Sequence, residues 1–591
     1  MTIPAPAASL SAADPSDLLA GDCRGMNFYR ADPALQALLD LYLPPALREH
    51  LEPHLERLGE LAGGRIDELA AIADKNPPVL HNRDRLGRDE DWIEYHPAYC
   101  EMERIAFGEY GLHAMSHRGG VLGWPEPLPP VAKYALQYLF VQGEFGLMCP
   151  VSVTDTSIRL IRDFASPALR QRLLPRMLSQ DMETMLKGTQ FITEKAGGSD
   201  VGALQTEARL EGGQWRLYGE KWFCSHADAD VAMLLARPQG AAPGTRGLAL
   251  FILPRRLENS QRNAYRIARL KDKLGTRSMA SGEIRLEGAQ AYLVGEPGQG
   301  FKQMLSQVNL SRLSHGVRAA AMMRRCLNES LQAARTRHAF GRPLIAMPLM
   351  RRQLGKIMLP TEQALSVAAY SAYVLGQAEQ GDAEAAQLLR MLTPLLKFRA
   401  CRDNVRVATG AMEVRGGNGY IEDWVNARLV RDAHIGVIWE GTSNINALDV
   451  IQRAVGKEGA QRCLAETLRN KLAQAGVTPP KFRQRLATLI ERSQALAGEV
   501  AQGHQEPLAR QAAGALYHVT SAVLMAWEAS RAAAQGGDAR RLLLARLVVE
   551  HRLSPQDPLA LREASWETQA LELLLGNASV SPQQAVALVD K

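Results

Sequence analysis

Residues 437–446 read Val437-Ile438-Trp439-Glu440-Gly441-Thr442-Ser443-Asn444-Ile445-Asn446. The stretch places one carboxylate, Glu440, after two bulky apolar residues and directly before a glycine. Shielding by Ile438 and Trp439 is expected to raise the pKa of this carboxyl and make it a stronger base than a surface glutamate. A Glu-Gly pair after an apolar run is more often the end of a helix or strand, so the rest of the chain has to supply a substrate and an electron acceptor.

The length and composition describe a globular protein of several domains. A chain of 591 residues is too long for one core and predicts two to four domains. Its hydrophobic content of 46% and charged content of 22% are ordinary for a soluble protein. The net charge of +6 neither requires nor excludes a polyanionic partner, so a CoA ester and a nucleic acid are both compatible with it.

Cysteine usage and the lack of long apolar runs predict a cytoplasmic location. The seven cysteines are widely spaced without a C-x-x-C pair, which is typical of reduced thiols and argues against a disulfide framework or a zinc site; no metal is predicted. No apolar run reaches the roughly 18–20 residues that cross a bilayer, so we expect no membrane span. The first twenty residues lack the pattern of a signal peptide.

Hydrophobic periodicity divides the chain into five parts and predicts an α+β fold that is mainly α. Residues 1–31 are predicted as a flexible tail and 32–187 as an N-terminal helical domain. Residues 188–300 hold six short segments rich in β-formers, which predict a β-barrel-like, antiparallel middle domain. Residues 456–591 predict an additional helical domain. Between these two, residues 301–455 predict a four-helix bundle with helices at 301–338, 349–379, 383–414 and 425–454.

Three further segments are candidate ligand contacts. In residues 191–200, adjacent glycines followed by Ser199 can turn backbone N–H groups and a hydroxyl toward an anion such as phosphate, but a capped turn fits equally well. In 219–226 a strand presents aromatic residues and then a hydroxyl, which suits a flat ring, although core aromatics are the simpler interpretation. The glycines of 415–420 suit either a ligand contact or a helix-ending turn. A Rossmann site is not supported, because no G-x-G-x-x-G lies between a strand and a helix.

Taken together, the order of these motifs resembles one family. The chain contains, in order, T-E-x-x-G-G-S-D at 193–200, K-W-F-x-S at 221–225, R-x-x-F-G-R-P-L at 337–344, G-G-N-G-Y at 416–420 and W-E-G-T-S-N at 439–444. This layout resembles the acyl-CoA dehydrogenase superfamily over roughly residues 32–455.

Within that superfamily the chain is most similar to the AidB-like branch of alkylation-response flavoproteins. Lys195 follows the Thr-Glu pair where other branches have proline, as in that branch. Asn76-Pro77-Pro78, His96-Pro97-Ala98 and the run from Arg269 to Gly275 are also similar to it.

The resemblance implies an FAD-dependent dehydrogenation of an acyl-CoA thioester. Glu440 matches the base that removes the α-proton while a β-hydride passes to flavin N5, and its backbone N–H matches a donor to the thioester carbonyl. Arg312 matches a buried arginine near the thioester. Four of the matching cofactor contacts, those in the R-x-x-F-G motif and the two adjacent glycines, are made across a dimer interface in the family. The positions that match cofactor contacts are Thr193, Ser199, Phe223, Ser225, Arg337, Phe340, Gly416, Gly417, Thr442 and Asn444.

Two departures from the family pattern concern the cofactor contacts. Phe223 stands where many members have tryptophan, and Pro348 replaces a glutamine that often follows the F-G-R-P motif. Neither change removes a reacting group.

Two functions follow from the resemblance. The first is an acyl-CoA dehydrogenase that forms a homodimer or homotetramer and passes electrons to an electron-transfer flavoprotein. The second is an AidB-like protein of the alkylation response that binds DNA and has weak dehydrogenase activity. A DNA surface requires Lys and Arg on one face, and only Lys481–Arg485 and Arg540-Arg541 suggest one. Because acidic residues are scattered nearby, a solvated helical face is favoured and we expect DNA binding to be weak at physiological salt.

Overall fold

The computed structural model describes residues 19–555, 557–561 and 565–590. The predicted fold class is confirmed: the structure is 59% helix and 13% strand, with one β region between helical regions. The described residues contain no helix that is both long enough and apolar enough to span a bilayer. Across the same ranges, no group of three or more His, Cys, Asp or Glu side chains could hold a metal ion.

The N-terminal region is helical with one hairpin. Many of its helices begin with proline at the first position, where the missing N–H costs nothing. The helices are α1 (Pro33–Tyr42), α2 (Pro45–Gly63), α3 (Arg65–Lys75), α4 (Pro97–Glu103), α5 (Pro130–Gly143), α6 (Met148–Phe164) and α7 (Pro167–Met177). The hairpin of β1 (Val79–Arg83) and β2 (Asp89–Glu94) interrupts a region predicted to be helical throughout. Its strands are polar, and it is held by a tertiary contact: the buried Asp91 accepts hydrogen bonds from Arg262 and the Ile267 N–H of the β region.

The predicted flexible tail is wrong for residues 19–31, and its remainder, 1–18, lies outside the described residues. Cys23, Phe28 and Tyr29 are fully buried. They pack where Gly59 and Gly63 of α2 leave room, since an added Cβ there would meet Tyr29 and Met26 within 3 Å. Burial of these apolar side chains orders residues 19–31, although the sequence before them is rich in Ala and Pro.

The middle region forms a mainly antiparallel sheet of seven strands. Strands β6, β4, β5, β9 and β7 are neighbours in that order, and pairing of β7 with β6 closes a ring; β3 joins β6 and β8 joins β9. The prediction of antiparallel pairing holds except where β6 runs parallel to β3 and β4. The strands are β3 (Gly188–Phe191), β4 (Glu207–Glu211), β5 (Gln214–Ser225), β6 (Val231–Pro238), β7 (Ala249–Pro254), β8 (Tyr265–Leu270) and β9 (Ser281–Val294).

A helical bundle follows, built on α8 (Gly300–Thr336), α9 (Pro348–Glu379) and α10 (Ala383–Arg415). A short hairpin of β10 (His338–Ala339) and β11 (Arg342–Pro343) joins α8 to α9.

The fourth predicted helix, over 425–454, is wrong as a continuous element. The chain instead forms α11 (Val425–Gly436), a turn, α12 (Ser443–Leu448) and a π-helical segment over Asp449–Val455. Glu440 and Gly441 have φ of 53° and 94°, a left-handed conformation that no right-handed helix accepts.

The described part of the C-terminal region contains six helices that cover the bundle. Within it, α15 packs against both α9 and α10. The helices are α13 (Gln461–Ala473), α14 (Pro480–Gln502), α15 (Ala509–Ala534), α16 (Arg540–Val548), α17 (Ser565–Leu575) and α18 (Pro582–Val589).

Candidate active site

The turn that carries Glu440 is held through its backbone carbonyls. Arg312 Nε on α8 donates to the Glu440 carbonyl at 3.0 Å. Lys397 Nζ on α10 donates to the Gly441 carbonyl at 2.6 Å, and Asn446 Nδ2 donates to the same oxygen at 2.8 Å. Because a left-handed non-glycine residue costs about 1 kcal/mol or more, these donors stabilise a conformation that the chain would not adopt unaided.

The Glu440 carboxylate lies between the β region and the bundle. Gln190 Nε2 on β3 donates to Glu440 Oε1 at 2.8 Å, and Ser311 Oγ on α8 donates to the same oxygen at 3.0 Å. Burial raises the pKa of Glu440, while Ser311, Arg312, Lys397 and Gln190 act in the opposite direction. The raised pKa is the property expected of a carboxylate that acts as a base.

Buried cations surround this turn without matching carboxylates. Arg318 is 1% exposed, and its guanidinium lies 5.9 Å from the centre of the Trp439 ring. Its Nη2 atom donates to His315 Nε2 at 3.0 Å, since His315 Nδ1 donates to the Ser311 carbonyl at 2.8 Å. The Nε and Nη1 atoms of Arg318 have no hydrogen-bond partner among the described residues. Lys397 likewise forms no ion pair within the part of the chain that the structure describes. Burial lowers the pKa of both Arg318 and Lys397, which reflects the cost of keeping them charged there.

Arg312 differs from these two cations because its charge is paired. Its Nη1 atom lies 2.7 Å from Asp449 Oδ2, and Asp449 also pairs with Arg390 at 2.7 Å. The structure therefore places Arg312 against the backbone of the candidate base.

The predicted flavin-edge residues lie on strands adjacent to Gln190. Thr193 follows β3 and accepts the Trp222 N–H of β5 through its carbonyl at 2.8 Å. Ser225 ends β5, where its carbonyl accepts a hydrogen bond from Thr189 Oγ1 at 2.5 Å. Phe223 is 56% exposed, an unusual position for a strand phenylalanine. Half-buried hydroxyls beside an exposed ring fit a flat aromatic ligand with polar edges, such as an isoalloxazine.

Ser199 lies in the exposed turn after β3. Glu194 and Gly197 close this turn with mutual backbone hydrogen bonds, and the buried Glu194 carboxylate accepts from Lys221 Nζ at 2.8 Å and from the Thr206 N–H at 3.2 Å. The turn therefore leaves the backbone and hydroxyl of residues 197–200 at the surface, where an anion can reach them.

A second group of predicted contacts lies far from Glu440. Arg337 ends α8, 25 residues beyond Arg312, which corresponds to roughly 35–40 Å along a helix. Phe340 is 94% exposed, and Gly416 and Gly417 lie at the surface after α10. The end of α8 and the end of α10 are neighbours, because the segment before α1 contacts both. The Gly21 N–H donates to Thr336 Oγ1 at 2.8 Å, and the Ala20 carbonyl accepts from Arg415 at 3.3 Å.

Thr442 and Asn444, the remaining predicted cofactor contacts, are exposed next to the turn. Thr442 caps α12, since its side chain accepts the Ile445 N–H at 3.5 Å. Its hydroxyl thus has a structural partner as well as access to solvent.

Sequence reasoning missed five residues of the site: Gln190, Ser311, Arg318, Lys397 and Asn446. One of them left a signal, because Lys397 is a lone charge in the apolar run Leu395-Leu396-Lys397-Phe398. Ser311 and Asn446 are ordinary residues of polar helix faces, so only the folded chain identifies them.

Comparison with protein families gives three matches that together cover most of the chain. The sequence matches the adaptive response protein AidB N-terminal domain over residues 20–184, the acyl-CoA dehydrogenase middle domain over 189–289 and the acyl-CoA dehydrogenase C-terminal domain over 298–456.

Individual relatives agree with these matches. The Escherichia coli (strain K12) protein AidB is 35% identical over 413 residues, 68% of this chain and 73% of that protein. Acyl-CoA dehydrogenase family member 11 of Caenorhabditis elegans is 30% identical over 470 residues, 78% of this chain and 75% of that protein. The crystal structure of Caenorhabditis elegans ACDH-11 in complex with C11-CoA superimposes with a TM-score of 0.83 at 27% identity, covering 96% of this chain and 97% of that one.

Proposed function

The chain belongs to the acyl-CoA dehydrogenase family, and we propose that it is an FAD-dependent enzyme that oxidises an acyl-CoA thioester between its α and β carbons. The observation that carries this proposal is the Glu440 carboxylate, which is partly buried and held at a turn by donors from α8, α10 and β3. A carboxylate in such a setting has the raised pKa that proton abstraction from carbon requires.

Residues in and around the turn have different roles toward the substrate. Glu440 takes the α-proton, and Ser311 and Gln190 hold its carboxylate in one orientation. The Glu440 backbone N–H donates to the thioester carbonyl, whose oxygen gains negative charge as the proton leaves. The uncompensated charges of Arg318 and Lys397 favour that negative charge in a region from which water is excluded.

The residues around β3 and β5 fit FAD. Thr193 and Ser225 would bind the edge of the isoalloxazine, Phe223 would lie beside it, and Ser199 would contact the pyrophosphate. When bound, FAD supplies the hydride acceptor for the β-carbon. Electrons would then leave through an electron-transfer flavoprotein, as the resemblance implies.

The separation of the two groups of contacts supports a homo-oligomer. One chain cannot bring Arg337, Phe340 and the glycines at 416 and 417 to the Glu440 site, because roughly 35–40 Å of α8 lies between them. A second copy could do so, as in the family's dimers. The exposed Phe340 together with Tyr420, 80% exposed, gives that surface the apolar character of an interface.

DNA binding ranks second, because most of the basic residues that suggested it are engaged elsewhere. Arg485 pairs with Glu550, Arg540 pairs with Asp538, and Arg541 is buried. A different group of basic residues, around Arg402, favours some affinity for a polyanion. Burial lowers the pKa of Arg402 most, and the nearby charges of Arg510, Arg406 and Arg399 lower it further. We expect duplex binding to be weak at physiological salt; a tight complex with a steep salt slope would reverse this order.

The decisive experiment is an anaerobic titration of the purified flavoprotein with acyl-CoAs of different chain length. We expect one or more of them to bleach the flavin absorbance, and we expect Glu440→Gln to retain the flavin but bleach about 10²–10⁴-fold more slowly. The exposed Glu466 of α13 provides a matched control, since Glu466→Gln should bleach like the parent protein. Bleaching of Glu440→Gln at a rate within about tenfold of the parent protein would exclude Glu440 as the base.

A further inference from the structure

A cavity of about 580 Å³ opens where the N-terminal region, the bundle and the C-terminal region meet. Its walls come from α1, the last third of α8, α9, α15, α16 and the segment after α17. On α8, the cavity residue nearest to the Glu440 site is Arg324. It lies thirteen residues, or roughly 20 Å along the helix, beyond Ser311, which contacts the Glu440 carboxylate. The cavity is therefore distinct from the Glu440 site, and its volume is that of a small-molecule site.

Part of the cavity wall is apolar, and the rest is charged or polar. Aliphatic side chains line it from four helices, so a ligand chain lying there would be removed from water. The main contributors are Leu38, Leu41, Leu327, Leu331, Leu544 and Leu574.

The charged residues of the lining pair with one another or with neighbours, with two exceptions. The pairs are Arg324 with Glu362, Arg541 with Glu362 and Glu528, Arg540 with Asp538, Arg30 with Glu56, and Asp40 with Arg48.

The two exceptions are Arg335 and Arg531. Arg335, in the last turn of α8, donates only to neutral oxygens, the Leu575 carbonyl at 3.1 Å and Asn577 Oδ1 at 2.9 Å. Arg531, in the last turn of α15, forms no ion pair with any residue that the structure describes. Asn328 adds a neutral donor: it is 7% exposed, lines the cavity, and its Nδ2 has no partner among the described residues. The lining thus combines an apolar wall with an excess of cationic and N–H donors.

We propose that this cavity binds an anionic amphiphile, with its apolar chain between α1 and α8 and its acidic head at Arg335 and Arg531. Both guanidiniums are exposed and form no ion pair with any described residue, so a carboxylate or phosphate head at the cavity can pair with them directly. A free fatty acid and a single-chain phosphate lipid share this chemistry.

Calorimetric titration of the full-length flavoprotein tests the proposal, with ligands kept below their micelle concentration. We expect dodecanoate or dodecyl phosphate to bind one per chain, and the tighter of the two identifies the head group. Decanoate should bind up to about fifteenfold more weakly than dodecanoate, because each buried methylene contributes about fourfold. Dodecanol and dodecyltrimethylammonium should bind at least tenfold more weakly; equal binding by either would overturn the role of the arginines.

Two variants with matched controls locate the site. Arg531→Glu should weaken dodecanoate binding at least tenfold, and Ala37→Trp, at an exposed position in the cavity wall, should abolish it. Arg492→Glu on α14 and Ala386→Trp on α10 make the same changes at exposed positions outside the cavity and should leave binding within twofold. The proposal is wrong if no ligand binds, or if Ala37→Trp binds dodecanoate like the parent protein. Acyl-CoA bleaching serves as the check that each variant remains folded, because none of these positions lies at the Glu440 site.

Discussion

Two groups of charged side chains in this protein differ in whether their buried cations form ion pairs. The junction cluster, Asp32, Arg324, Glu362, Glu528 and Arg541, pairs both of its cations: Arg324 with Asp32 at 2.9 Å and with Glu362, and Arg541 with Glu362 at 3.0 Å and Glu528 at 2.7 Å. The turn cluster, Glu440, Arg318 and Lys397, has two buried cations that form no ion pair among the described residues.

The difference separates structural charges from functional ones. The junction cluster ties the start of α1, α8, α9, α15 and α16 together, and its desolvation cost is offset by close ion pairs. In the turn cluster, Glu440 acts on Arg318 and Lys397 only at a distance, so the desolvation cost of these cations is not offset by a close ion pair. Uncompensated charge of this kind is typical of sites that stabilise a charge absent from the resting protein.

The largest expected effect is on chemistry at the turn cluster. Glu440→Gln keeps the acceptor for Ser311 and Gln190 but removes the base, so the rate of flavin reduction by the best acyl-CoA should fall by about 10²–10⁴-fold. Stopped-flow absorbance measures the rate. A fall of less than tenfold would show that the carboxylate is not the proton acceptor.

Breaking the junction cluster should cost stability without this effect on chemistry. Arg541→Met leaves Glu528 and part of Glu362 buried without their cation, and we expect a loss of about 3–5 kcal/mol in the free energy of unfolding. Arg540→Met is the neighbouring control; its partner Asp538 is partly exposed, so the loss should stay near or below about 1 kcal/mol. Urea denaturation distinguishes the two, and equal losses would contradict the comparison.

Lys397 should matter for rate more than for stability. Lys397→Met removes the donor to the Gly441 carbonyl, so Glu440 loses part of its orientation and the reduction rate should fall about 10–100-fold. Lys397→Arg should recover part of that rate because it restores a cationic donor. If the methionine variant instead loses only acyl-CoA affinity, Lys397 contacts the substrate and does not position the base.

The smallest effect is a shift in pH dependence. The rate should rise with pH through the pKa of Glu440, because only the ionised carboxylate accepts a proton. Burial raises this pKa, so the rising limb of the pH–rate profile should lie at higher pH than for an ordinary glutamate. The charge of Lys397 lowers the pKa of Glu440, so Lys397→Met should move the limb to higher pH. A limb that stays in place would show that Lys397 acts through geometry alone.

The hydrophobic pattern of the sequence predicted much of the fold, and the features that it failed to predict share one physical cause. Period-two and helical repeats are local, so the β region and the long helices α8, α9 and α10 could be predicted from them. The hairpin at 79–94, the packed segment at 19–31 and the break at Glu440 depend on partners distant in sequence, such as Arg262 for Asp91 and Arg312 for Glu440.

By itself, the sequence determined the family, the types of structural region and the identity of Glu440 as the residue to test, because five ordered motifs specify chemistry through residue type and spacing. Only the tertiary structure decided that Glu440 sits in a left-handed turn held by Lys397 and Arg312, and that Arg541, in a run that suggested a nucleic-acid face, is buried in an ion-pair cluster. The physical reason is that burial and charge pairing depend on which distant segments meet. Local sequence reports the charge that a residue carries, and the fold determines whether that charge is compensated.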